Sequence, residues 1–145
     1  MCLPVKPYKV EREWEHAGLS CAVVLAREAQ HRCGYVRVPP SHPLFGKGYD
    51  DADVDVHGGL TFAKLEPCTE HPDGQGWWFG FDCAHAGDAS TDPNVDLSDL
   101  GEEARSILAI YRSYPQDGEW REHYWLQEEV ERETERLAEQ LARAA

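Results

Sequence analysis

Residues 76–82 read Gly76-Trp77-Trp78-Phe79-Gly80-Phe81-Asp82, and their alternation decides the fold. On an extended chain Trp77, Phe79 and Phe81 point to one side, and Trp78, Gly80 and Asp82 to the other. Three large aromatics in register make a core face. The opposite face carries a notch, because Gly80 places no side chain between an indole and a carboxylate. A glycine inside a strand marks a bulge or the close approach of another group. Two occupants fit the notch: a planar ligand stacked on Trp78 and bonded to Asp82, or a neighbouring aromatic of the protein itself.

Residues 59–65 (GLTFAKL) form a second strand-like run, and the loop 66–75 joins the two as a hairpin. Upstream, residues 10–16 alternate Val10, Arg12, Trp14 and His16 against Glu11, Glu13 and Glu15, the period of a half-exposed strand. Gly18 breaks that run. Residues 20–26 (SCAVVLA) read as a buried strand with a short helix as competitor, and residues 33–38 (CGYVRV) as a strand stopped by Pro39 and Pro40. Residues 39–53 are loop material whose aromatics, Phe45 and Tyr49, suggest that it packs back on the body.

Downstream the period changes. Leu126, Val130, Thr134, Leu137 and Leu141 recur at helical spacing, so residues 119–143 are expected to form a long amphipathic helix entered at Gly118. Residues 89–118 are turn-rich and acidic, with a short helix over 102–112. The expected architecture is α+β: one domain over 1–145, a small antiparallel sheet with the C-terminal helix packed on it, and the site carried by residues 1–88.

The chain has a net charge of −13, which argues against direct nucleic-acid binding. It has no apolar run of the roughly 18 residues a membrane helix needs and no signal-peptide pattern at the N-terminus, so the expected location is the cytoplasm. Five cysteines at irregular spacing then imply free thiols. A Cys21–Cys33 crosslink is the minor alternative.

Polar chemistry concentrates in residues 53–88. Asp53, Asp55 and His57 share one face of an extended chain, and Asp82, His85 and Asp88 are spaced so that one turn gathers them. Trp78, Asp82, Asp88, His57, His85 and Thr61 are therefore the candidate ligand-binding residues. His57, His85 and Asp82 are the candidate acid/base groups, and Cys83 the candidate nucleophile, with a small buried thiol as its competing role. His31 and His42 would face the same site if their loops fold over the hairpin, while His71 reads as a surface residue. No cofactor is expected. If a metal is bound, His57, His85, Asp82 and Asp88 are the ligands that would hold it. No phosphate-binding glycine fingerprint occurs.

The blocks WEHAGLSC, HRCGYVRVPPSHPLFGKGY, VDVHGGLTF and WWFGFDCAHAGD, with the C-terminal ERLAEQL, resemble a group of small proteins from bacteriophages and actinobacterial genomes. The resemblance implies a phage-type counter-defence setting and no catalytic role. Three functions follow as expectations. The first is a binding protein for a small polar, nucleotide-like or sugar-like ligand, sequestering or acting on a host signal. The second is a metal-dependent hydrolase. The third is an acidic interaction protein that blocks a host defence partner or pairs with a second copy of itself.

Overall fold

The computed structural model describes residues 3–7, 9–26, 31–69, 71–83, 101–103, 105–106 and 125–145. Five strands, β1 (Lys9–His16), β2 (Leu19–Leu25), β3 (Arg32–Val38), β4 (Phe62–Leu65) and β5 (Trp77–Asp82), form one sheet, and one long helix follows, α1 (Gln127–Ala144). The strand order is β1-β2-β3-β5-β4, with every pairing antiparallel. The expected α+β architecture is the observed one.

The β1–β2 hairpin closes through Ala17 and Gly18, at φ 54° and 80°. Positive φ at both positions of a two-residue loop is the turn whose twist matches the flanking strands. SCAVVLA is strand, not helix. Its near-continuous burial arises because apolar groups cover both sheet faces: Cys21 and Val23 join the core under α1, while Ala22 and Val24 join a second cluster on the far face.

That far cluster holds Cys33, Tyr35 and Trp78, with Leu3, Val5 and Phe62 packed against it. The Gly80 notch is filled from within. A Cβ there would lie 2.5 Å from Tyr35 Cδ1, and the Tyr35 ring meets Phe62 edge-on at 5.2 Å. On the near face Gly34 does the same for the helix, since a Cβ would collide with Thr134 and Phe81.

The helix is shorter at its start than the periodicity implies. It begins at Gln127, with Trp125 and Leu126 outside it, and the Leu126 N–H donates to Glu129 at 3.1 Å. Residues 119–124 lie outside the described residues, as does most of the short helix expected over 102–112. Val130, Thr134, Leu137, Ala138 and Leu141 are the buried stripe. Beside it Glu131, Glu135 and Glu139 project onto β1. Glu131 pairs with Arg12, Glu135 accepts from Trp14 Nε1 and meets His16 Nδ1 at 2.9 Å, and Glu139 lies 3.1 Å from His16 Nε2. Three glutamates of α1 are in this way spent on Arg12, Trp14 and His16 of β1.

Residues 53–57 are extended, but they are not a strand of the sheet. The Asp55 N–H donates to Gln140 Oε1 at 2.7 Å, Gln140 Nε2 donates back to the Asp55 carbonyl at 2.8 Å, and the His57 N–H donates to Glu133 at 2.8 Å. The alternation is real, with Val56 in the core and Asp55 outside. Its hydrogen-bonding partner is the side of a helix.

The thiols also depart from expectation. Cys21, Cys33 and Cys83 are free and buried, whereas Cys68 is disulfide-bonded. Cys21 and Cys33 lie on opposite faces of the sheet, so they form no crosslink. No helix among the described residues is long and apolar enough to cross a membrane.

Candidate functional site

Register places Glu15, Ser20, Arg37, Trp78 and Lys64 opposite one another across all five strands. Directly opposed residues of an antiparallel pair share a face, so these five side chains form one row on the face away from α1. The middle of the row is an arginine 7% exposed. A buried guanidinium must find acceptors, and the β4–β5 loop supplies them.

Glu66, the first residue after β4, is fully buried. It accepts from Arg37 Nε and Nη2 at 3.1 Å, from the Gly76 N–H, and from Trp78 Nε1 at 3.0 Å. Arg37 spends its other donors on Asp73, at 2.9 and 3.2 Å, and on the Gly74 carbonyl at 2.9 Å. Burial alone would raise the Glu66 pKa, but the donors from Arg37, Gly76 and Trp78 outweigh it and hold the carboxyl below its ordinary range. The hydrogen bonds from Arg37 likewise lower Asp73. Gly76 is required here, since a Cβ would run into the Arg37 side chain.

This network folds the loop back over the row and makes a cleft of about 310 Å³. Glu15, Gly18, Leu19, Ser20, Arg37 and Pro39 line its floor and far wall; His71, Pro72 and Asp73 line the loop side. His71 Nε2 lies 3.6 Å from Glu66 Oε2, an electrostatic contact too long for a hydrogen bond. Three lining groups have no internal partner among the described residues: the Ser20 hydroxyl, the Glu15 carboxylate and the second ring nitrogen of His71. The fixed charges are Glu15, Glu66 and Asp73 against Arg37, so the cleft favours a neutral or cationic guest.

The described residues of the expected site are brought together only in part. Trp78 is fully buried and its N–H is committed to Glu66, so its faces belong to the protein and it offers no stacking platform. Thr61 is exposed and donates to Asp82 at 3.1 Å. His57 sits elsewhere, its ring 4.2 Å from that of Trp125. Cys83 is a buried member of the core under α1, the packing role rather than the nucleophilic one. His85 and Asp88 lie outside the described residues. Among the described residues no three His, Cys, Asp or Glu groups are placed to share a metal ion.

His42 is structural. Its Nε2 is 2.8 Å from the Leu141 carbonyl and its Nδ1 accepts the Leu44 N–H, so the first nitrogen must carry the proton. His31 lies near Asp82, but burial dominates and lowers its pKa. Glu66 and Asp73 carry no signal in the sequence, and His71, expected as a surface residue, is part-buried against Glu66 and lines the cleft. The one available signal was Arg37, an arginine in the alternating register of Cys33 and Tyr35, which had to imply a buried acid. Comparisons with protein-family models, with curated proteins and with solved structures return no match.

Proposed function

We propose that this chain is a small-polar-ligand-binding protein whose site is the loop-roofed cleft over Glu15, Ser20 and Arg37. The observation that carries the reading is the division of labour around that cleft. Arg37, Glu66, Asp73 and Trp78 satisfy one another and make a rigid frame, while Ser20, Glu15 and His71 line the opening with unused hydrogen-bonding capacity. Pockets with a few convergent polar groups on a preorganised frame are the usual form of a small-ligand site. The volume, near the lower end of that range, suits a ligand of amino-alcohol or monosaccharide size.

The charge pattern favours a neutral or amine-bearing ligand over a phosphate-bearing one, because all three Arg37 nitrogens already donate to Glu66, Asp73 or Gly74. A counter-defence protein acting on a nucleotide-like host signal is the setting that the resemblance to phage proteins offers. In that setting the base would be held without Trp78. The metal-dependent alternative depends on His85 and Asp88, and the acidic-interaction alternative loses Glu129 and Glu131 to capping and to Arg12.

Amide chemical-shift mapping tests the proposal. Titration of labelled protein with ethanolamine, a neutral monosaccharide and AMP should move Gly18, Ser20, His71 and Gly74 with one of the first two, and Ser20→Ala or His71→Ala should weaken the response. Shifts centred on Thr61 and Asp82, or a silent cleft with all three probes, would refute it.

A further inference from the structure

A second concavity lies at the opposite edge of the sheet, away from the polar cleft. It has a volume of about 340 Å³ and is lined by Leu3, Pro4, Val5, Lys6, Lys64, Leu65 and Pro67. Its character is the reverse of the first. The walls are aliphatic, Leu65 is 41% exposed, and among the described residues the only charges on it are two lysines contributed by separate segments. Among the described residues neither Lys6 nor Lys64 forms an ion pair, whereas Arg12, Arg32, Arg37 and Arg136 all do. A lysine on β4, an edge strand of the sheet, discourages edge-to-edge pairing by itself. That purpose does not account for a second lysine on the N-terminal segment across an apolar groove.

We infer that the groove between the N-terminal segment and β4 binds a soluble single-chain carboxylate, its alkyl tail on Leu3, Val5 and Leu65 and its head group held by Lys6 and Lys64. Charge complementarity selects the head: two ammonium groups with no ion-pair partner among the described residues flank the apolar floor in a chain of net charge −13. The same net charge opposes approach to an anionic lipid surface. The occupant is therefore a free amphiphile, not a membrane. Long side chains such as lysine can lie along apolar surface while keeping the charge at the rim, so tail and head are engaged together. This inference is independent of the polar cleft.

Calorimetric titration of the intact protein with octanoate and decanoate, below their micellar concentrations, tests it. Saturable one-to-one binding is expected. Affinity should rise about two- to fourfold per added methylene while the tail still finds apolar wall. Acetate should not bind detectably, and octyltrimethylammonium should bind at least about tenfold more weakly than octanoate, as expected when a charged partner is removed. The double substitution Lys6→Glu/Lys64→Glu should weaken decanoate at least about tenfold, with the unfolding midpoint checked to confirm the fold. His71→Ala should leave decanoate affinity unchanged. Leu65→Ser gives a second reading if the double variant does not fold, and should weaken decanoate relative to octanoate. No saturable binding of decanoate, equal binding of the cationic amphiphile, or an unchanged affinity in a folded double variant overturns the inference. So does co-sedimentation with anionic phosphatidylglycerol vesicles in preference to decanoate binding.

Discussion

Glu66→Ala should be among the most damaging single substitutions in the chain. The carboxylate is fully buried and accepts from four donors on three residues, Arg37, Gly76 and Trp78. Its removal leaves the Gly76 N–H and Trp78 Nε1–H without an acceptor, each a desolvation penalty of about 1–3 kcal/mol. Arg37 loses one carboxylate but keeps Asp73 and the Gly74 carbonyl, which limits its share. The total falls at about 4 kcal/mol, inside the range for breaking a buried ion pair from one side. Glu66→Gln should cost about 2–3 kcal/mol, because one amide oxygen still accepts while the NH₂ group faces a donor. Asp73→Asn should cost under about 1 kcal/mol, since that side chain is 48% exposed. Urea unfolding followed by tryptophan fluorescence, under non-reducing conditions that keep the Cys68 bridge, measures all three. If Glu66→Ala cost no more than Asp73→Asn, the network would not be holding the loop and the account of the cleft would fail.

Three further outcomes follow from the same geometry. Because Glu66 and Asp73 titrate below their ordinary range when folded, the unfolded chain takes up protons first as pH falls. Their stabilisation is present above about pH 4.3 and is lost as pH drops through the folded values. The stability gap between wild type and Glu66→Gln should narrow over that interval, and a gap that stays constant to low pH contradicts the assignment. Gly80→Ala should cost about 1–3 kcal/mol by forcing Tyr35 off its site, with Gly34→Ala worse because Thr134 and Phe81 must both shift; thermal melts that leave either variant at the wild-type midpoint would show that these glycines are not packing positions. Finally, native alkylation with peptide mapping should leave Cys21, Cys33 and Cys83 unlabelled. All three are buried, and burial raises the thiol pKa to about 12 at Cys21 and about 11 at Cys33. Cys68 should stay unlabelled even in urea until reductant is added, and early labelling there would rule out the bridge.

The fold was largely legible because its signals are periodic and local. Alternation in Arg12–His16 and in the Trp77–Asp82 run, and the Val130, Thr134, Leu137, Leu141 spacing, each specify the face that the backbone geometry selects. A bulge between Val10 and Arg12, by contrast, turns Val10 to the opposite face from the one its alternation implies. A period does not name the partner that satisfies the backbone. Residues 53–57 alternate like a strand, yet their N–H and C=O groups bond to Glu133 and Gln140 of the helix. Likewise the alternation of Trp77 and Trp78 fixes their directions but not their surroundings. The two indoles do face opposite ways, and Trp78 is the more deeply buried of the pair because the far face has a core of its own.

By itself, then, the sequence determined that a sheet and one amphipathic helix would pack together, and that Gly80 would leave room for something. Tertiary structure decided what filled the room, Tyr35, and which acid answered Arg37. The chain has 27 acidic residues, and nothing local marks the one at position 66. Its role exists only because the β4–β5 loop returns across the sheet and closes on a guanidinium 29 residues away. Hydrogen bonds and burial between distant segments depend on where a loop lands, and that is set by the packing of the whole domain.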